Sequence, residues 1–295
     1  MRFELSGSLI RPDPAVLTYN EDGTFDTLSF IELGYTYFEV ICIGGAGGHG
    51  GGIDTDNTGT TVRSYGGSGG GGGFHRIRGL LSALPDSCSV VVGAGGVSGV
   101  SQSGNPPNLG TVTDGGDGEA STFNTNTCRA SGGKGGKRVQ ANSVTVSSDA
   151  DGGEGGIGNR TVAGGGADGG VAGIPTAPGP GTPGTNGVDG SISNNGVVGK
   201  GGGGGAGGVG TYAGVTCNAA TSGGRGSYNP SDTLVYGPAD APDTDVDTGA
   251  VDIVPGGASG AKAAPLNGLP TVYGKSVGFG SNGSPGVVVV RLTAE

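Results

Sequence analysis

The sequence predicts an all-β fold organised around a bundle of polyglycine II helices, with a small β-sheet built from N-terminal strands and the C-terminal strand, and almost no α-helix. Three observations carry this expectation. Glycine fills 73 of 295 positions, Trp is absent and aromatic residues make up 5% of the chain, so side-chain burial is too sparse to hold an ordinary core. The apolar residues are gathered into short strand-like runs rather than diluted along the chain. Each long glycine tract begins or ends beside one of these runs, an arrangement that a flexible linker between domains would not require.

Taken in order, residues 1–34 read as an N-terminal β segment, serving as an attachment or a sheet edge, with alternation at Arg2–Leu5 and again from Thr24 through the first half of the run to Leu33. Residues 35–295 read as one glycine-rich domain. Its first strand, 35–43, puts Phe38, Val40 and Cys42 on one face and Tyr37, Glu39 and Ile41 on the other. Further strands are expected at 74–78, 87–93, 119–129 and 286–293. The last contains Val287–Val290, so apolar that it belongs between two neighbours and pairs back with the early strands. Residues 79–85 offer at most one helical turn.

Between the strands lie GGAGGHGGG at 44–52, GGSGGGGG at 66–73 and GKGGGGGAGGVG at 199–210. Glycine loses the most backbone entropy on ordering, so something must offset that loss. A polyglycine II helix has three residues per turn and no internal hydrogen bonds, so its amides and carbonyls must bond neighbouring chains. Residues 151–158, DGGEGGIG, place every non-glycine residue before the last glycine on one edge of such a helix, and Gly181, Gly184, Gly187 and Gly190 repeat the spacing. Four triplets are too few for a collagen triple helix. The polar insertions are 53–65, 97–114, 138–150 and a long variable loop at 211–255.

Chemistry motifs are few. Net charge is −10, which disfavours a nucleic-acid partner, and no run reaches the length of a membrane-spanning helix. The first residues carry no apolar signal-peptide core, so the expectation is synthesis and assembly in a cytoplasm. Cys42, Cys88, Cys128 and Cys217 show no zinc spacing; Cys42 and Cys88, in strand runs, read as buried free thiols over a disulfide. At this glycine content a G-x-G-x-x-G match arises about four times by chance. The stretch 268–276 has five residues between its glycines, one more than a phosphate loop, and a proline inside it. No cofactor is expected.

Asp54–Gly59 starts like a calcium loop but has Thr58 at its fifth position and Tyr65 at its twelfth. Asp243, Asp245 and Asp247, with Asp240 and Asp252 nearby, are a candidate set for a hard cation; a solvated acidic loop is the simpler reading. His49 lies inside a glycine tract, and His75 reads as a surface strand residue. Neither sits beside a nucleophile elbow, and no catalytic residue is assigned. Tyr212, Tyr228, Tyr236 and Tyr273 fall in long polar loops rich in Ser, Gly and Asn, the composition of adaptable binding loops; they are the candidate receptor-binding residues. Rings capping the glycine bundle are the alternative.

The order of pieces resembles a known family. A strand ending Ile41–Ile43 runs into GGAGGHGGG. A second tract leads to Phe74–Ile77, and Val90–Val92 runs into Gly93–Gly96. Next come Gly115–Gly118, Ser121–Phe123, Ala130–Gly136, GGGGGAGG and a terminal Gly286–Leu292. This series resembles the glycine-rich domain of bacteriophage minor tail proteins and tail fibres, including phages of actinobacteria, and is similar to the polyglycine adhesins at the tips of some long tail fibres. The likeness covers roughly 35–210 and the last ten residues.

It implies a non-enzymatic virion protein at the tail tip or fibre, assembled in the host cytoplasm and acting outside the cell. Its partners would be other tail proteins and a host-surface glycan or glycolipid, with homotrimeric copies suiting a fibre. Two other readings remain: an architectural tail subunit without receptor contact, and a virion-associated polysaccharide-degrading enzyme.

Overall fold

The computed structural model describes residues 11–57, 60–64, 66–67, 69–103, 112–125, 127–138, 140–142, 145–147, 151, 153–154, 156–157, 192–193, 198–199, 209–211, 282–283 and 285–294. In chain order the elements are β1 (Ala15–Tyr19), β2 (Gly23–Asp26), α1 (Thr27–Glu32), β3 (Tyr37–Ile43), β4 (Ile53–Asn57), β5 (Thr60–Ser64) and β6 (Phe74–Leu80). A 3-10 turn (Leu81–Ala83) then precedes β7 (Ser87–Val91), β8 (Gln102–Ser103), β9 (Ser121–Phe123), β10 (Cys128–Ala130), β11 (Gln140–Asn142) and β12 (Thr145–Ser147). Last come β13 (Ile192–Ser193), β14 (Val198–Gly199), β15 (Val209–Thr211) and β16 (Val287–Thr293).

The alternation expected along β3 sets up a two-sheet sandwich. One sheet has the order β1-β16-β3-β6-β14-β13 and the other β10-β9-β7-β2, both antiparallel. Phe38, Val40 and Cys42 of β3 and Val288, Val290 and Leu292 of β16 meet Phe25, Cys88, Val90, Phe123, Cys128 and Ala130 from the second sheet. The apolar C-terminal strand is central: Val290 pairs Leu17 on one side and Val40 on the other. On the opposite face of the first sheet, Ile41, Ile43, Phe74, Val287 and Val289 form a second, smaller cluster.

Three sequence expectations need correction. The run Thr24–Leu33 is a strand only as far as Asp26, and Thr27–Glu32 form a helix. Asp26 caps that helix, accepting from Ser29 N at 3.3 Å and from Ser29 Oγ at 2.6 Å. Gly34, with φ of 92°, closes it through a 2.9 Å bond to the Ile31 carbonyl. Phe30 stacks on Phe25 at 5.0 Å, which ties the helix to the core. Second, 119–129 is a hairpin of β9 and β10, not one strand; Asn124 and Thr125 at its turn have positive φ. Third, His75 is buried and faces the sandwich interior, because β10 packs over it.

Beyond the sandwich the glycine tracts stack on one another. In the segment 44–52, the amides of Gly44, Gly47 and Gly50 donate to the carbonyls of Gly73, Gly70 and Gly67, while those of Gly45, Gly48 and Gly51 donate to Glu119, Gly116 and Thr113. Its own carbonyls accept from two other segments, Ala46 and His49 from Gly96 and Gly99, and Gly45 and Gly48 from Gly133 and Gly136. A β-strand bonds two coplanar neighbours; this segment bonds four, each with a period of three residues.

Space, not backbone freedom, selects glycine here. None of the described glycines in these segments has positive φ. A Cβ at Gly44, Gly47 or Gly50 would instead meet the carbonyls of Ser131, Lys134 or Lys137, and at Gly45, Gly48 or Gly51 those of Ala94, Val97 or Val100, all inside 3.0 Å. The third position of each triplet, Ala46 and His49, has room for a side chain.

Candidate functional site

The hydrogen-bond registers fix the direction of each described glycine segment. Segments 44–52, 93–100 and 131–138 run parallel, away from the sandwich, since Ala46 accepts from Gly96 as His49 does from Gly99, and Gly45 from Gly133 as Gly48 does from Gly136. Segments 66–73, 112–119, 151–157 and 282–286 run back, each pairing an outgoing neighbour in antiparallel register.

One end of the rod joins the sandwich through Ile43, Phe74 and Val287, which are mutual register partners. The described outgoing segments therefore end, and 66–73, 112–119 and 151–157 begin, at the other, distal end. There β4 and β5 form a hairpin, β4 is flanked by β8, β5 pairs with β15, and β11 pairs with β12. The chain leaves the described residues at Thr211, at the distal end on β5, and re-enters at Asn282, whose Oδ1 accepts from Ser98 N at 2.8 Å. The stretch that carries the candidate residues thus begins at the distal end, whereas Asn282 lies part-way along the rod, next to Gly283, whose amide donates to the Gly96 carbonyl. Tyr212, Tyr228, Tyr236 and Tyr273 themselves, and Asp243, Asp245 and Asp247, lie outside the described residues, as do the tract 200–208 and the repeat at 181–190. Among the described residues no group of three or more His, Cys, Asp or Glu side chains is placed to hold a metal.

The flank of the rod has its own chemistry. Asp114 and Asp117 form ion pairs with Lys137 at 3.1 Å and Lys134 at 2.7 Å. The three-residue spacing is that of the segments, so the charges form a ladder. Amide donors complete it: Arg138 N reaches Asp114 and Gly135 N reaches Asp117, both at 2.9 Å. Burial pushes both carboxyls up, but the amide and lysine donors outweigh it, and both sit below the usual carboxylate range. Asp117 in turn raises the Lys134 ammonium. On another edge Val91, Ala94, Val97 and Val100 present an exposed apolar stripe at the same spacing.

Inside, His49 is 1% exposed, and burial lowers its imidazole to about 4, so it is neutral near pH 7. On the outer face of the first sheet, Glu39 accepts from Arg78 Nε at 2.6 Å and Arg291 Nη1 at 3.0 Å, with Arg76 Nε at 3.7 Å. In the sandwich interior, Cys42, Cys88 and Cys128 are all buried free thiols. Cys42 meets Cys128 rather than Cys88: its Sγ lies 3.6 Å from the Cys128 carbonyl. His75 lies against them. Its Nδ1 accepts from Arg129 N at 3.0 Å, so the neutral ring carries its proton on Nε2. Sequence reasoning missed this cluster because its members are up to 86 positions apart; the alternation of Phe38, Val40 and Cys42 showed only that Cys42 faces inward.

No helix among the described residues is long and apolar enough to cross a membrane. Comparison with curated proteins returned no match. A family model described as a glycine-rich domain matches residues 20–293, spanning both the sandwich and the glycine rod, and the chain belongs to that glycine-rich domain family.

Proposed function

We propose that the chain is a structural virion protein of a bacteriophage tail, a minor tail protein at the tail tip or fibre, whose distal loops contribute to attachment to the host surface. The glycine segments are read as polyglycine II helices, in keeping with their period of three. One observation carries the reading: the described outgoing glycine segments end, and their returning partners begin, at the end opposite the sandwich, and Thr211, the last described residue before the tyrosine-bearing stretch, is at that same end. A rigid stalk holding variable loops at one tip suits binding, because the loops can change without disturbing the hydrogen-bonded body. Weak single contacts to a surface glycan or glycolipid would be multiplied by copy number.

A specific feature favours an architectural role for the other end. Leu28, Ile31 and Leu33 on and after α1 are exposed at the end of the sandwich farthest from the rod, where another tail protein would dock. The test is binding of fluorescently labelled protein to a panel of candidate host cells, with a variant lacking residues 212–255, which leaves β15 intact. Saturable binding that the deletion abolishes, with an unchanged circular dichroism spectrum, supports attachment through the distal loops. No binding by the folded parent, alone or as its native oligomer, leaves the architectural role. Release of reducing sugar from host polysaccharide would overturn both and make the protein an enzyme.

A further inference from the structure

The buried thiols are a paired feature that neither the fold nor the attachment reading uses. Cys42 belongs to β3 in the first sheet and Cys128 to β10 in the second, and both are fully buried in the interface between the sheets. Cys128 Sγ lies 3.3 Å from the His75 carbonyl and 3.9 Å from the Val40 carbonyl, while Cys42 Sγ lies 3.6 Å from the Cys128 carbonyl. Each sulfur is thus seated against the strand that carries the other. Cys88 is engaged elsewhere, near Thr27 Oγ1 at 3.8 Å and the Pro85 carbonyl at 3.9 Å.

We propose that Cys42 and Cys128 are a redox-closable staple between the two sheets, open in a reducing compartment and closed by a low-molecular-weight disulfide once the protein leaves it. The Cys128 thiolate attacks one sulfur of the small disulfide, forming a mixed disulfide and expelling one small thiol. Cys42 then gives up its proton and attacks the Cys128 sulfur, expelling the second small thiol. Two protein thiols are oxidised, one small disulfide is reduced, and both protons leave on the two small thiols.

The roles follow from the surroundings. Burial pushes the Cys42 thiol well up, whereas at Cys128 the same burial is outweighed by the neighbouring Cys42 and His75 side chains, which bring it down to about 6. Access follows from the topology. β10 is the edge strand of its sheet, three residues long, behind a turn that holds Asn124 and Thr125 at positive φ. Opening of this short hairpin exposes both sulfurs without unravelling the rod.

The staple would close a loop of 86 positions that contains the first four glycine segments. A loop of that size predicts a gain of about 10 °C in melting temperature. The test is incubation of the whole protein with oxidised glutathione, alkylation of the remaining thiols, and peptide mapping by mass spectrometry. The expected result is a Cys42–Cys128 link, a melting point raised by about 10 °C and restored by reductant, and the same link in Cys88→Ser. Cys128→Ser should give no link at Cys42; should that variant fail to fold, the map of the parent decides alone. Alkylatable Cys42 and Cys128 after both native incubation and oxidative refolding, a link from either to Cys88 or Cys217, or a link that does not raise the melting point would each overturn the proposal.

Discussion

Replacing Gly47 by alanine should damage the rod far more than a surface methyl normally does. Gly47 sits in the segment bonded to four neighbours, and its φ is not positive, so an L-residue suffers no backbone penalty there. The cost is steric. A Cβ would lie inside 3.0 Å of the Lys134 carbonyl oxygen and carbon and the Gly135 nitrogen. That carbonyl accepts from Gly70 N at 2.8 Å, while Gly47 N donates to the Gly70 carbonyl at 2.8 Å. Separating the segments enough for the methyl strains or breaks both bonds in the interior, at about 1–3 kcal/mol for each group left unmade. Overpacking adds about 1–3 kcal/mol, and the stiffer unfolded chain returns about 0.4–1 kcal/mol.

The net is about 4 kcal/mol, or roughly 10 °C in melting temperature for a protein of this size. Gly116→Ala is the matched control: its nearest neighbour would be Val97 N at 3.1 Å, with the next at 3.4 Å, so the loss should stay below about 1 kcal/mol. Thermal unfolding followed by circular dichroism reads both. Melting points for the two variants within about 2 °C of each other would refute the claim that neighbouring carbonyls occupy the missing side-chain positions.

Three further outcomes follow from the geometry. His49, lowered by burial from 6.5 to about 4, makes the unfolded chain bind the extra proton between those values. Its contribution is complete above pH 6.5 and is lost, up to about 3 kcal/mol, as pH falls to about 4, so denaturant midpoints should slope through that window and flatten in His49→Leu. The carboxyls of Asp114 and Asp117, shifted below 3.8, should act only at lower pH. Glu39→Gln leaves Arg76 and Arg291 facing each other without their anion and should cost about 2 kcal/mol in urea unfolding. Phe123→Ala empties a fully buried site 5.6 Å from the Phe25 ring and should cost about 3–5 kcal/mol by the same measurement.

Much of the fold was legible because its two periods are written openly. The period of two in 37–43 correctly assigned Phe38, Val40 and Cys42 to one face and Glu39 and Ile41 to the other. The period of three was read at 151–158, and Glu154 and Asp151 of that segment do accept from Lys134 and Lys137 at that spacing. The valine run at the C-terminus announced a central strand. What stayed hidden was either too short or too distant. Six residues of α1 cannot display a helical period, and Phe25 and Asp26 continue the strand alternation up to the cap. His75 resembled a surface residue because its neighbours Arg76 and Arg78 are charged, yet they share the opposite face with Glu39. The Cys42–Cys128 meeting depends on how the two sheets superpose, which local sequence does not encode. The distal tip was foreseeable only as a set of polar insertions; that the described parts of 53–65, 97–114 and 138–150 share one end emerges from the registers.

Those registers also make the rod's length a quantised property. Adding one or two residues inside a segment would turn every later side chain into a neighbour's carbonyl, whereas adding three restores the pattern one repeat further on. To lengthen the stalk, each outgoing segment and its returning partner must acquire a triplet together. No such tax falls on the connections at the tip, where insertions of any number leave the lattice untouched. The molecule therefore separates two rates of change: a reach that moves in coupled steps of three, and a tip that is free to drift one residue at a time.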